Sequence, residues 1–224
     1  MIKNIIDERK IFKTSQKIKT NLLKFNSVKV LVVDDFYENP YEVRKLALDI
    51  PASSNLRIRG NNPAFRVNAF YEFFDLYKIY DELAREYFPE IMKNYIDSFM
   101  KMSFMRATFM VNVMQSTNLP AITPHIDNPS GINLASGIYL NTENECNGGT
   151  SFYEYKNESL VKENIGIVPK EYVTDSVDDW KMIGIVNMKF NRMILYNQSV
   201  LHSAYVKPGM FEKNLYRINQ QFYI

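Results

Sequence analysis

The sequence has 224 residues, of which 46% are hydrophobic, and this length and composition suit one folded domain with or without an extension. Its 27 basic and 25 acidic residues leave a net charge of +2, which removes the bulk electrostatic reason to expect a nucleic-acid-binding protein. The single cysteine, Cys146, excludes an intrachain disulfide, and the sequence shows neither a signal peptide nor the ~18-residue apolar run of a membrane span, so we expect a cytoplasmic protein.

Basic residues concentrate at the start of the chain. Residues 1–25 carry seven lysines and arginines against two acids, a net charge of +5, which leaves −3 for the remainder. We therefore predict a basic N-terminal extension over residues 1–27, followed by a single domain over residues 28–224. The extension is either a solvated helix or an arm that contacts an acidic partner.

The first part of the domain is predicted to be mainly helical. Hydrophobic periodicity and turn signals predict a strand over 28–33, a helix over 40–50, a loop over 51–66 and a helix over 71–99. Asn39 is a suitable cap for the helix that Pro40 opens, and Pro89 divides the long helix because proline cannot donate the backbone hydrogen bond.

From about residue 99 onward the pattern changes to short strands. Short β-branched or aromatic segments separated by turn residues predict strands over 105–115, 132–141, 150–155, 182–190, 192–198, 201–206 and 216–224. Helices followed by many short strands predict an α+β fold whose second half is a sandwich or barrel. The polar stretch 156–180 interrupts the strands and is either a lid over a binding site or a surface insertion.

A His-x-Asp motif formed by His125 and Asp127 lies in the segment TPHIDNP. In an extended segment these two side chains project to the same side, so an imidazole and a carboxylate can share one metal ion. The second histidine of the sequence, His202, lies on a predicted strand 75 residues after Asp127. Two histidines and one carboxylate form the facial triad of non-haem Fe(II) oxygenases. The alternative for His202 is a histidine that only packs or forms hydrogen bonds.

Several motifs around this triad resemble those of a known family. In chain order they are HIDNP (125–129), IYLN (138–141), GGTSFY (148–153), KFNRMILYNQSVLHSA (189–204) and YRINQQFYI (216–224). Over about residues 104–224 the chain resembles the Fe(II)/2-oxoglutarate-dependent dioxygenases of the prolyl-hydroxylase-like branch. The segment VVDDFYENPYEVRKLAL also resembles the opening of an uncharacterised family of this class.

The resemblance implies a double-stranded β-helix, a cupin-like jelly roll over about residues 99–224, with the N-terminal helices packed outside. It implies that His125, Asp127 and His202 bind Fe(II), and that 2-oxoglutarate and O2 are the co-substrates. Arg217 matches the position that binds the far carboxylate of 2-oxoglutarate, and Tyr139 falls where the branch has a tyrosine on the same carboxylate. The implied activity is hydroxylation of an unactivated C–H bond in an amino acid, a peptide or a small metabolite.

The sequence departs from the branch at two points. Arg217 lies 15 residues after His202, a longer gap than is usual, so Lys207 and Lys213 are alternative anchors. Arg217 is favoured because a buried charge in an apolar strand needs a partner, although that partner can also be a structural carboxylate. The tyrosine that the branch carries before its metal motif is absent, and Asn112 or Gln115 are candidates for its role. Tyr139 can also be an ordinary core aromatic.

Two rival functions stay open at this level. One is a non-catalytic jelly-roll module that binds a ligand or a partner, and the other is a cupin-like metal enzyme that does not use 2-oxoglutarate. Consumption of 2-oxoglutarate distinguishes the oxygenase from both, and metal content distinguishes the rivals from each other. The oligomeric state does not follow from the sequence.

Overall fold

The computed structural model describes residues 8–49, 65–71, 74–93, 107–114, 124–127, 133–156, 175–176, 179–211 and 215–223. The fold is α+β and is built on antiparallel strands. The helices are α1 (Glu8–Ile11), α2 (Pro40–Asp49) and α3 (Phe74–Tyr87). The strands are β1 (Lys19–Phe25), β2 (Val28–Asp34), β3 (Phe65–Tyr71), β4 (Ala107–Met114), β5 (Leu134–Tyr139), β6 (Gly149–Tyr155), β7 (Trp180–Asn187), β8 (Met193–Asn197), β9 (His202–Tyr205) and β10 (Arg217–Tyr223). Within these ranges no helix is long and apolar enough to cross a membrane.

The strands form two sheets. The large sheet has the order β1-β2-β8-β5-β10-β4-β3, and the small sheet has the order β7-β6-β9. Every neighbouring pair is antiparallel. Because strands distant in sequence are neighbours in space, residues from both ends of the chain reach the same interior.

The central strands β2, β5 and β8 of the large sheet are buried on both faces. Alternate residues of a strand project to opposite faces, so β2 contributes Leu31 and Val33 to one apolar cluster and Val30 and Val32 to another. The first cluster includes side chains of α2 and α3, so the helices cover that face. The second cluster includes Phe152 of the small sheet, so it forms an interior between the two sheets.

All seven strands predicted after residue 99 are present as β4 to β10, and the division of the helix at Pro89 is confirmed. Helix α3 ends at Tyr87, and residues 89–93 are helical again. Residues 65–71 form strand β3, so the predicted loop is wrong at Phe65 and Arg66 and the predicted helix is wrong at Tyr71. Strand β3 pairs with β4 along its whole length, a long-range contact that local turn signals do not reveal.

The prediction of a solvated helix for the basic N-terminal extension is also wrong for residues 19–25. They form β1, which pairs with β2 through a two-residue turn between Phe25 and Val28. Asn26 occupies this turn with a φ of 53°, a conformation that asparagine tolerates in tight hairpins. The pairing with β2 outweighs the polar composition of this stretch, so the extension supplies an edge strand of the sheet.

The tip of the β1–β2 hairpin reaches the small sheet. The Asn26 amide donates to both carboxylate oxygens of Glu154, at 3.0 and 2.9 Å. The ring of Phe25 stacks on Phe152 with centroids 5.8 Å apart and lies directly over Gly184 of β7. Gly184 and Phe152 are cross-strand partners, so the hairpin tip contacts both sheets at one end of the interior.

We expect Gly184→Ala to destabilise the protein by about 1–3 kcal/mol, the cost of overpacking a core contact. A Cβ atom on Gly184 would lie 2.2 Å from Cδ1 of Phe25, and the Phe25 ring is held against Phe152. Gly137→Ala is the matched control, because among the described residues the nearest atoms to a Cβ there are 3.9 Å away. Urea denaturation that gives both variants the same free energy of unfolding would contradict this contact.

Candidate metal and anion site

The segment that carries the His-x-Asp motif is docked on the chain just before and at the start of β9. His125 and His202 form an isolated antiparallel bridge and exchange two backbone hydrogen bonds, each 3.0 Å long. The Asp127 amide donates to the Gln198 carbonyl at 3.0 Å. Directly opposite residues of an antiparallel pair project to the same side. The backbone therefore holds both imidazoles side by side, with ring centroids 4.6 Å apart.

Three ligand atoms converge at this bridge. One atom each from His125, Asp127 and His202 lies within 4.8 Å of the other two. Asp127 contributes two close approaches, with Oδ2 3.4 Å from Nε2 of His202 and Oδ1 3.7 Å from Nε2 of His125. A first-row metal ion with ligand distances of about 2.0–2.2 Å separates adjacent ligand atoms by about 3 Å. The cluster therefore has the spacing and the donor types of a divalent metal site.

The tautomer of His202 supports a role as a metal ligand. Its Nδ1 lies 2.9 Å from the Val200 carbonyl, which can only accept, so Nδ1 carries the hydrogen. In the neutral ring Nε2 is then a lone pair directed at the Asp127 carboxylate. A metal cation or a proton between this lone pair and the carboxylate would stabilise the arrangement. A hydrogen bond from the second ring nitrogen is also the usual way in which proteins orient a ligating histidine.

The cluster is buried on one side and open on the other. The exposed fraction of the side chain rises from 8% for His202 to 21% for Asp127 and 49% for His125. On the buried side the ring of Tyr196 meets the His202 ring edge-on at 4.9 Å and meets Phe152 at 5.2 Å. A metal held here is reached by solutes from the His125 side and is supported by the aromatic interior behind it.

Arg217 is a buried cation in the same interior. The residue is 5% exposed, its Nη1 donates to Oδ1 of Asn219 at 2.8 Å, and its Nη2 donates to the Gly149 carbonyl at 3.2 Å. Its Nε atom is buried without a hydrogen-bond partner, and among the residues that the structure describes no carboxylate forms an ion pair with it. A buried guanidinium that is held by neutral groups among the described residues is favourable for an anion.

Tyr139 lies beside this cation. The Arg217 guanidinium carbon is 5.7 Å from the centre of the Tyr139 ring, and the phenol forms a 2.7 Å hydrogen bond with the hydroxyl of Thr150. Burial raises the pKa of Tyr139, and the positive charge of Arg217 only partly offsets this. The phenol is therefore protonated at neutral pH, and either hydroxyl can be the donor in its bond with Thr150. The position of Tyr139 fits both an anion contact and a core aromatic.

The spacing between the metal cluster and the cation can be read along β6. His202 pairs with Phe152, and Arg217 bonds to Gly149, three residues earlier on the same strand. At about 3.3 Å per residue the points where the two sites contact β6 are about 10 Å apart. A metal–oxygen bond of about 2.1 Å, a five-carbon chain of about 5 Å and a charge-assisted hydrogen bond of about 2.8 Å bridge such a distance.

The other candidates occupy different places. Lys207 is paired with Asp175 at 3.0 Å, and its side chain is 39% exposed, so this lysine lies at the surface. Asn112 pairs in register with Asn219. Lys213, Gln115 and most of the predicted lid, residues 157–174 and 177–178, lie outside the described residues.

Three side chains of the site escaped the sequence reasoning. Asn219 follows Arg217 by two residues, and the strand period alone was sufficient to place both on one face. Thr150 directly follows the Gly-Gly turn and could have been found in the same way. Asn141, which holds the chain around Arg217, had no local signal, because its partners are 75 and 77 residues away.

Comparison with known proteins places the chain in a family without a known activity. No curated protein matches it. Residues 14–214 match the sequence profile of DUF6445, a family of unknown function, and this range includes strands β1 to β9 and all three residues of the metal cluster. The chain therefore belongs to the family of unknown function DUF6445.

Proposed function

We propose that the protein is an Fe(II)- and 2-oxoglutarate-dependent oxygenase that hydroxylates an unactivated C–H bond. One observation carries this proposal: a His-Asp-His cluster and a buried arginine, which forms no ion pair with a carboxylate among the described residues, contact strand β6 at points about 10 Å apart. A metal site alone is compatible with many functions, and a buried arginine alone is compatible with a structural role. Their combination at this spacing is what a metal-bound keto acid with a second carboxylate requires.

The arrangement of the sheets supports a double-stranded β-helix as the scaffold. Two antiparallel sheets share an apolar interior, and β6 and β9 of the small sheet bring Thr150, Phe152 and His202 towards it. Helices α2 and α3 cover the opposite face of the large sheet. In such a barrel the open end near the metal admits a substrate, and the closed end holds the co-substrate.

The donor set of the cluster favours iron. Two imidazoles and one carboxylate suit Fe(II), Mn(II) and related ions, and three ligands on one face leave the remaining positions for co-substrate and O2. Bound iron would supply the activation of O2. One oxygen atom of O2 would enter succinate as 2-oxoglutarate loses CO2, and the other would enter the product hydroxyl.

The residues of the chain provide the positioning. Arg217 would hold the far carboxylate, with the Tyr139 phenol available as a second donor, so that the keto-acid end of the molecule points to the cluster. Asp127 and the two histidines would hold the metal from the barrel side. The Phe152 and Tyr196 rings pack behind His202 and exclude water from that side. The half-exposed edge at His125 is the approach for an amino acid, a peptide or a small metabolite.

Turnover of 2-oxoglutarate in the absence of a known substrate tests the proposal. Protein loaded with Fe(II) under air should form succinate slowly, and Asp127→Ala, which removes one metal ligand, should form none above background. Metal binding without 2-oxoglutarate binding would instead indicate a metal enzyme of another type. A protein that binds neither the metal nor 2-oxoglutarate would be a non-catalytic binding module.

A further inference from the structure

Asn141 holds the segment of β10 that carries Arg217. Its side-chain amide donates to the Tyr216 carbonyl at 2.6 Å, and its Oδ1 accepts from the Ile218 amide at 2.7 Å. The residue is 1% exposed; its bond with the Ile218 amide is buried, and its bond to the Tyr216 carbonyl is partly buried. The side chain of Asn141 thus binds the backbone of the residue before Arg217 and of the residue after it.

The two hydrogen bonds of the Asn141 side chain take the place of backbone pairing between β5 and β10. The pairing between β5 and β10 ends where Tyr139 lies opposite Asn219. After Tyr139 the segment that follows β5 makes one more backbone hydrogen bond to β10, from the Leu140 amide to the Ile218 carbonyl at 3.0 Å, and the strand then ends. On the β5 side of β10 the side chain of Asn141 therefore holds the Tyr216 carbonyl and the Ile218 amide, while on the other side Arg217 and Ile218 pair with Met114 and Val113 of β4.

We propose that Asn141 is a positioning residue that fixes the Arg217 guanidinium for anion binding, an inference that rests on the proposed function. Both hydrogen bonds of the guanidinium, to Asn219 and Gly149, require the backbone of β10 to stay in register. A shift of residues 216–218 would move the guanidinium away from these acceptors. The metal cluster is carried by other segments and does not depend on Asn141.

Asn141→Ala removes both hydrogen bonds, and Asn191→Gly is a matched control. Asn191 also makes two buried side-chain hydrogen bonds to backbone, from the Tyr37 amide at 2.8 Å and to the Tyr37 carbonyl at 2.9 Å. Tyr37 belongs to the helix-covered cluster, and glycine tolerates the φ of 61° at position 191. Asn141→Asp is a second variant that preserves the side-chain volume and the acceptor for Ile218, in case Asn141→Ala does not fold.

Two measurements separate positioning from simple bracing of the fold. The first is the affinity of the Mn(II)-loaded protein for 2-oxoglutarate by calorimetry, with Mn(II) affinity measured alongside. The second is the modification of Arg217 by phenylglyoxal, followed by mass spectrometry of the metal-free protein. The second needs no ligand, so it reports on Arg217 even if the protein does not bind 2-oxoglutarate.

We expect both Asn141 variants to bind 2-oxoglutarate tenfold or more weakly, in the range caused by loss of a residue that orients a binding side chain. Mn(II) affinity should be unchanged, and Arg217 should become reactive to phenylglyoxal. Asn191→Gly should lower the melting temperature while leaving 2-oxoglutarate affinity and Arg217 protection at the wild-type level.

Wild-type protection of Arg217 in a folded Asn141 variant would overturn the inference, as would equal effects of the Asn141 and Asn191 substitutions. A wild-type protein that does not bind 2-oxoglutarate would refute the proposed function instead. In that case the phenylglyoxal reactivity alone decides whether Asn141 positions Arg217.

Discussion

His202→Ala and Asp127→Ala should each abolish stoichiometric binding of Fe(II) or its surrogate Mn(II). Loss of a mere hydrogen-bond partner of a ligand costs about 10–100-fold in metal affinity, so loss of a ligand itself should exceed that range. His125→Ala should behave in the same way, because the three ligand atoms lie within 4.8 Å of one another and form a single cluster. Elemental analysis after dialysis measures the metal content of each variant.

Ile126→Ala is the matched control for this experiment. Ile126 lies between two of the ligands, but its side chain is exposed and offers no donor atom. Added Mn(II) should raise the melting temperature of the wild type and of Ile126→Ala, because a ligand that binds only the folded state stabilises it. Equal metal content in His202→Ala and the wild type would show that the cluster is not a metal site.

Arg217→Ala should weaken 2-oxoglutarate binding at least a hundredfold without changing metal affinity. Removing one partner of a buried charge pair costs about 3–5 kcal/mol, because the other charge is left uncompensated in a poorly solvated place. The guanidinium meets this condition, since the residue is 5% exposed and neutral groups hold it. Calorimetric titration of 2-oxoglutarate into the Mn(II)-loaded variants measures the effect.

Two further substitutions make this experiment specific. Arg217→Lys retains the charge but loses the planar fork that grips a carboxylate with two bonds, so its affinity should lie between those of the wild type and Arg217→Ala. Lys207→Ala should bind 2-oxoglutarate like the wild type, because Lys207 forms a surface ion pair with Asp175. If Lys207→Ala loses affinity and Arg217→Ala does not, the assignment of the anchor is wrong.

The local pattern of the sequence determined the type of most elements and the donor types of the candidate metal site. Alternation of apolar residues and turn signals placed β4 to β10, because a strand with a buried face repeats every two residues. The His-x-Asp spacing alone placed two ligands on one side of an extended segment. The identity of His202 as the third candidate followed from its being the only other histidine in the chain.

Tertiary structure alone decided which distant segments meet. The stretch Lys19–Phe25 has no strong strand pattern, and it becomes a strand only because β2 is available beside it. The convergence of His202 with His125 depends on one antiparallel bridge between segments 77 residues apart. The environment of Arg217 depends on Asn141 and Gly149, which lie far from it in the sequence. Such pairings depend on loop closure and on burial of the whole interior, and a local window of sequence contains neither.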